Sequence, residues 1–73
     1  MMPLSFAKLN KEYFIERIDD CDEKLRLIEM GFCNCKIKLL RISFGKKDYL
    51  VFLRNFKMIL RKELVEKIWI KKL

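Results

Sequence analysis

The chain has 73 residues, enough for one domain with a modest core, and its 52% hydrophobic and 37% charged content excludes a disordered polymer. It contains no His, Thr or Gln and only two serines, Ser5 and Ser43, which removes Ser–His and Cys–His chemistry, so no enzyme is expected. The net charge of +7 is uneven: residues 1–32 hold five basic and seven acidic side chains, whereas residues 33–73 hold twelve and three. The second half therefore either suits an anionic partner or forms a solvated, lysine-rich face.

From the amino terminus, Met1–Lys8 lacks the basic start and long apolar stretch of a signal peptide, and a cytoplasmic location is expected. No stretch reaches the ~18 apolar residues of a spanning helix. Tyr13–Ile18 reads as a first strand, with Tyr13 and Ile15 on one face and Phe14 and Ile18 on the other. Residues 22–31 read as one short helix, with Asp20 or Asp22 as its cap. Leu25 and Ile28 share its apolar face, with Leu27 alongside, and Gly31 is the structural residue that ends it in a left-handed conformation.

Lys36–Ser43 alternates, with Ile37 and Leu39 inward, until the Leu39-Leu40 pair breaks phase and signals a bulge. A turn follows over residues 44–48, with Gly45 as its structural glycine, then a strand over Tyr49–Arg54. Asn55 marks a tight turn before a third long strand, Phe56–Leu60, so these strands form an antiparallel meander. Arg61–Glu66 suits a single helical turn, and Lys67–Ile70 a last strand with Ile68 and Ile70 on one face and Trp69 on the other.

The chain is thus expected to be mainly β, one domain over residues 1–73. It has about five antiparallel strands, a short helix after the first strand and a helical turn before the last. So many short strands favour a small closed barrel, because closure removes exposed edges.

Two segments resemble the FeoA family: Lys24–Phe32, a helix ending in Met30-Gly31-Phe32, and Phe56–Ile70, a strand, a Leu-Arg-basic-acidic turn and a closing strand. The Arg41–Gly45 strand and turn also fit, and the resemblance runs over residues 4–70. Two turns depart from the family pattern. Asn10-Lys11-Glu12 stands where a glycine is usual, and Cys33-Asn34-Cys35 replaces a Pro-Gly, with Asn34 able to take a positive φ.

The resemblance implies an SH3-like barrel of the bacterial cytoplasm. It implies a non-catalytic accessory of ferrous iron uptake that binds FeoB, a membrane transporter with a GTP-binding domain. Fe2+ is then the cargo of the system, and no cofactor is implied. The partner-binding residues expected from exposure and charge are Met30 and Phe32 after the helix, and Lys46, Lys47 and Tyr49 of the basic hairpin.

Cys33 and Cys35 form a Cys-x-Cys, the candidate metal ligands. With Cys21 they supply three thiols and no imidazole, short of the four ligands of a structural zinc site, so no metal site is expected and the thiols are read as reduced. The basic set Lys36, Lys38, Lys46, Lys47, Arg54, Lys57, Arg61 and Lys62, interleaved with Tyr49, Phe52 and Phe56, supports nucleic-acid binding as the alternative function. A homo-oligomer joined edge to edge by its strands is a third class.

Overall fold

In the computed structural model residues 1–32 and 35–73 are described. Six strands form one antiparallel sheet: β1 (Met2–Pro3), β2 (Glu12–Ile18), β3 (Lys36–Ile42), β4 (Asp48–Leu53), β5 (Phe56–Arg61) and β6 (Ile68–Lys72). Their spatial order is β1-β6-β2-β3-β4-β5. A short 3-10 turn (Leu4–Phe6) follows β1, helix α1 (Lys24–Glu29) lies between β2 and β3, and the one-turn helix α2 (Lys62–Val65) lies between β5 and β6. The meander, the helix after the first long strand and the helical turn before the last are as expected from sequence. The sixth strand, β1, is two residues long and carries no alternation that sequence could show.

The sheet does not close into the ring of ladders expected from sequence; packing fills the gap between its edges instead. Its two edges are β1 and β5. β5 runs directly into α2, and α2 packs on β4, β5 and the 3-10 turn that follows β1. Leu4 of that turn and Val65 of α2 are both wholly buried, so the seam is filled with apolar side chains. Burial of this kind is worth about 1.5–3 kcal/mol per large aliphatic side chain.

Alternation explains most of the core. Ile37 and Leu39 of β3, Tyr49, Val51 and Leu53 of β4, and Ile68 and Ile70 of β6 all point inward and join one buried cluster. Two bulges reset the phase. The register of β3 on β4 shifts between Leu39 and Arg41, where the Leu39-Leu40 pair predicts it. A second shift, of β2 on β6 between Ile15 and Arg17, corrects the sequence reading: the extra residue, Glu16, returns Ile18 to the core beside Tyr13 and Ile15.

Helix α1 also differs from its expected form. Neither Asp20 nor Asp22 caps it; Glu23 holds the N-cap place without a side-chain bond, and Asp20 is paired with Lys24 at 3.2 Å. Its buried residue is Leu27, while Leu25 and Ile28 are exposed. The carboxyl end is a Schellman motif: the Phe32 N–H donates to Leu27 O and the Gly31 N–H to Ile28 O, with Gly31 at φ +96°. This motif turns Phe32 inward, where it joins Leu27 in the core.

The β4–β5 turn is Arg54-Asn55, with φ +49° and +73°, the signs of the two-residue hairpin turn whose twist matches the flanking strands. On the outer side of β2 and β6, the Trp69 indole N–H donates to Asp19 Oδ2 at 2.8 Å, and Arg17 Nε donates to Asp19 Oδ1 at 3.2 Å. The Arg17 guanidinium also stacks 4.9 Å above the indole.

Candidate partner interface

The residues expected at a partner surface fall at two ends of the β4–β5 hairpin. At one end lies the α1 corner. Met30 is partly exposed there, and the Arg54 side chain lies across Gly31, joining the corner to the hairpin turn. At the other end lies the β3–β4 loop, where Lys46 and Lys47 are exposed. Six residues of strand separate the ends, roughly 20 Å. The structure therefore sets Met30 and the lysines near opposite ends of β4, not together.

Two of the expected contact residues are corrected. Phe32 is wholly buried, because the Schellman turn folds it under α1, and Tyr49 is 3% exposed, because β4 alternation points it into the barrel. The exposure on which both were chosen is absent.

Between the two ends runs an exposed strip that sequence reasoning passed over. Ile59 is 66% exposed on the outer face of β5, and it helps line a groove of about 410 Å³ with Leu64 and with Glu23 from the start of α1. A second hollow, of about 380 Å³, is formed by the charged residues Lys47, Asp48, Arg61, Lys62 and Glu63. It is assembled by backbone: Asp48 pairs with Arg61 in the ladder, and the Lys62 N–H donates to Lys47 O at 2.9 Å. Sequence marks Arg61 and Lys62 as part of the basic set and Arg61–Glu66 as a helical turn, but not their meeting with Lys47 and Asp48, which depends on the β4–β5 register.

The β3–β4 loop is well tied. The Ser43 N–H donates to Asp48 O, its carbonyl accepts the Lys46 N–H, and its Oγ accepts the Asp48 N–H at 2.9 Å. Gly45 and Lys46 both take positive φ, +87° and +56°, which makes Gly45 the residue that lets the loop reverse. Phe44 stands at the apex, completely exposed.

Of the metal candidates, Cys33 lies outside the described residues, as does the Asn34 turn. Cys35 is buried, and its thiol donates to Gly31 O at 2.7 Å. Among the described residues no three Asp, Glu or Cys side chains converge on a metal position. For the nucleic-acid alternative the charges remain outside, but Tyr49 is removed from the ring faces it needs. Asp19, held by the Trp69 indole N–H and then by Arg17 and Lys67 charges, ionises below the usual carboxylate value of 3.8, although desolvation works against the shift. No described helix is long and apolar enough to cross a membrane.

The FeoA domain family matches residues 2–72 of the sequence. The chain belongs to the FeoA family. Its fold is that of solved FeoA structures. It superposes on FeoA from Chlorobium tepidum with a TM-score of 0.88 at 22% identity, over 99% of this chain and 70% of that one. For iron(II) transport protein A from Clostridium thermocellum the TM-score is 0.87 at 20% identity, over 99% of this chain, which spans only 46% of that protein's length. For the zinc complex of Stenotrophomonas maltophilia FeoA, an SH3 domain protein, it is 0.86 at 21% identity, over 97% and 91%. No curated protein matches the sequence. The FeoA domain here is thus an SH3-like β-structure with its seam between β1 and β5.

Proposed function

We propose that this FeoA domain is a non-catalytic accessory component of ferrous iron uptake. It acts in the cytoplasm by docking on a FeoB-type, GTP-dependent membrane transporter. The observation that carries this reading is the FeoA family match over residues 2–72 together with the SH3-like fold. The S. maltophilia relative, described as a candidate ferrous iron transport activating factor, supports it.

The physical requirement is small. A docked domain shifts a transporter between two conformations when it binds one of them better than the other. The β4–β5 hairpin offers such a surface, with Met30 at one end and Lys46 and Lys47 at the other. Ferrous iron is the transported ion and needs no resident site in the domain.

The test is a tagged pull-down from detergent-solubilised, nuclease-treated membranes at ~150 mM salt, where exposed charges are well screened. Recovery of a large polytopic GTPase is the expected outcome. Recovery of no membrane protein, with nucleic acid bound when nuclease is omitted, overturns it.

A further inference from the structure

We infer that the apex of the β3–β4 loop is a peripheral membrane contact for an anionic lipid surface. Phe44 enters the boundary between headgroups and acyl chains, and the surrounding cations face the headgroup phosphates and carboxylates.

A single exposed hydrophobe is ordinary. Phe44 differs in position and company. It has no protein surface over any part of its ring, and it stands at the tip of a loop braced by Ser43 and Asp48. The hollow at the base of that loop is lined by Arg41, Ser43, Asp48, Leu50 and Ile59, and the surface inside it is mainly apolar. Ile59 is itself two-thirds exposed.

The collar is basic. Lys46 and Lys47 lie in the loop, Arg41 lines the hollow beneath it, and the β4–β5 pairing brings Arg61 and Lys62 alongside. Against these five cations stand two carboxylates, Asp48 and Glu63. An apolar tip inside a cationic collar matches the layered chemistry of a bilayer surface, with anions at the level of the headgroups and hydrocarbon below. It matches nucleic acid less well, because stacking needs a series of accessible ring faces and Tyr49 is turned inward.

This proposal does not depend on the transporter, and vesicles without protein test it separately. The whole chain is sedimented with phosphatidylcholine vesicles and with phosphatidylcholine–phosphatidylserine vesicles. Binding is expected only to the latter, and it weakens as salt is raised. At about a fivefold contribution per lysine, Lys46→Ala with Lys47→Ala lowers the partition coefficient roughly twenty-five-fold. Phe44→Ala lowers it roughly tenfold. Phe44 touches nothing in the fold, so an unchanged circular dichroism spectrum confirms that the variant is intact. Equal sedimentation with both vesicle types overturns the proposal. So does charge-dependent binding that Phe44→Ala leaves unaltered, because the apex then plays no part.

Discussion

Arg54 lies so closely over Gly31 that a β-carbon on the glycine would stand 2.6 Å from Arg54 Nε and 3.0 Å from Cδ. The contact joins the end of α1 to the β4–β5 turn, and both residues have positive φ. Gly31→Ala must therefore pay for a left-handed alanine, about 1–2 kcal/mol, and also displace the arginine. Thermal melts are expected to show a loss of several degrees in Tm. Arg54→Gly removes the obstruction, so Gly31→Ala should cost less in that background. Equal costs in both backgrounds would show that the side-chain contact carries nothing.

Asp19 provides a pH prediction. Its folded pKa lies below 3.8, lowered chiefly by the Trp69 hydrogen bond. A depressed carboxylate contributes stability that is present above its unfolded pKa and lost as pH falls through the folded one. Asp19→Asn should therefore destabilise the protein at neutral pH, and its gap from the parent should close on acidification below 3.8. Urea unfolding at a series of pH values measures the gap, with Trp69, the single tryptophan, as the fluorescent reporter. A gap independent of pH would remove Asp19 from the account.

The phase of α1 is tested by two neighbouring leucines. Leu27 is 2% exposed and Leu25 is 68% exposed. Leu27→Ala should cost about 2–5 kcal/mol, enough to unfold much of so small a domain. Leu25→Ala should stay within about 0.5 kcal/mol. Urea midpoints decide between this orientation and the one in which Leu25 and Ile28 face the core.

Charge reversal tests the transporter-docking reading. Lys46→Glu with Lys47→Glu should reduce recovery of the transporter in the pull-down without lowering Tm, because both side chains are exposed and neither forms an ion pair among the described residues. Undiminished recovery would move the contact to the Met30 end of the hairpin.

The long strands were legible because alternation is a local signal, and the bulge at Leu39-Leu40 because two adjacent leucines cannot both face inward in a regular strand. The bulge at Glu16 was not legible. Tyr13–Ile18 fits an unbroken strand, and only the register against Trp69 and Ile70 shows where Ile18 returns to the core. Phe32 and Tyr49 misled for a related reason: each is adjacent to charged or turn residues, but its direction is set by a Schellman turn in one case and by β4 pairing in the other. Phe44 stood in plain view, but nothing in the linear sequence distinguishes a fully solvated phenylalanine from one folded back onto a barrel.

The packed seam leaves the two-residue strand β1 with a single ladder partner. β1 is held by its short pairing with β6, at Met2–Ile70 and Pro3–Trp69, and by the insertion of Leu4. Its departure uncovers one edge of β6 and leaves the ladders from β6 through β5 intact. In a barrel closed by hydrogen bonds on all sides there is no such clasp: detaching any one strand disrupts two ladders at once. Here detachment of Met2–Leu4 requires one short ladder to break and one buried leucine to leave the seam.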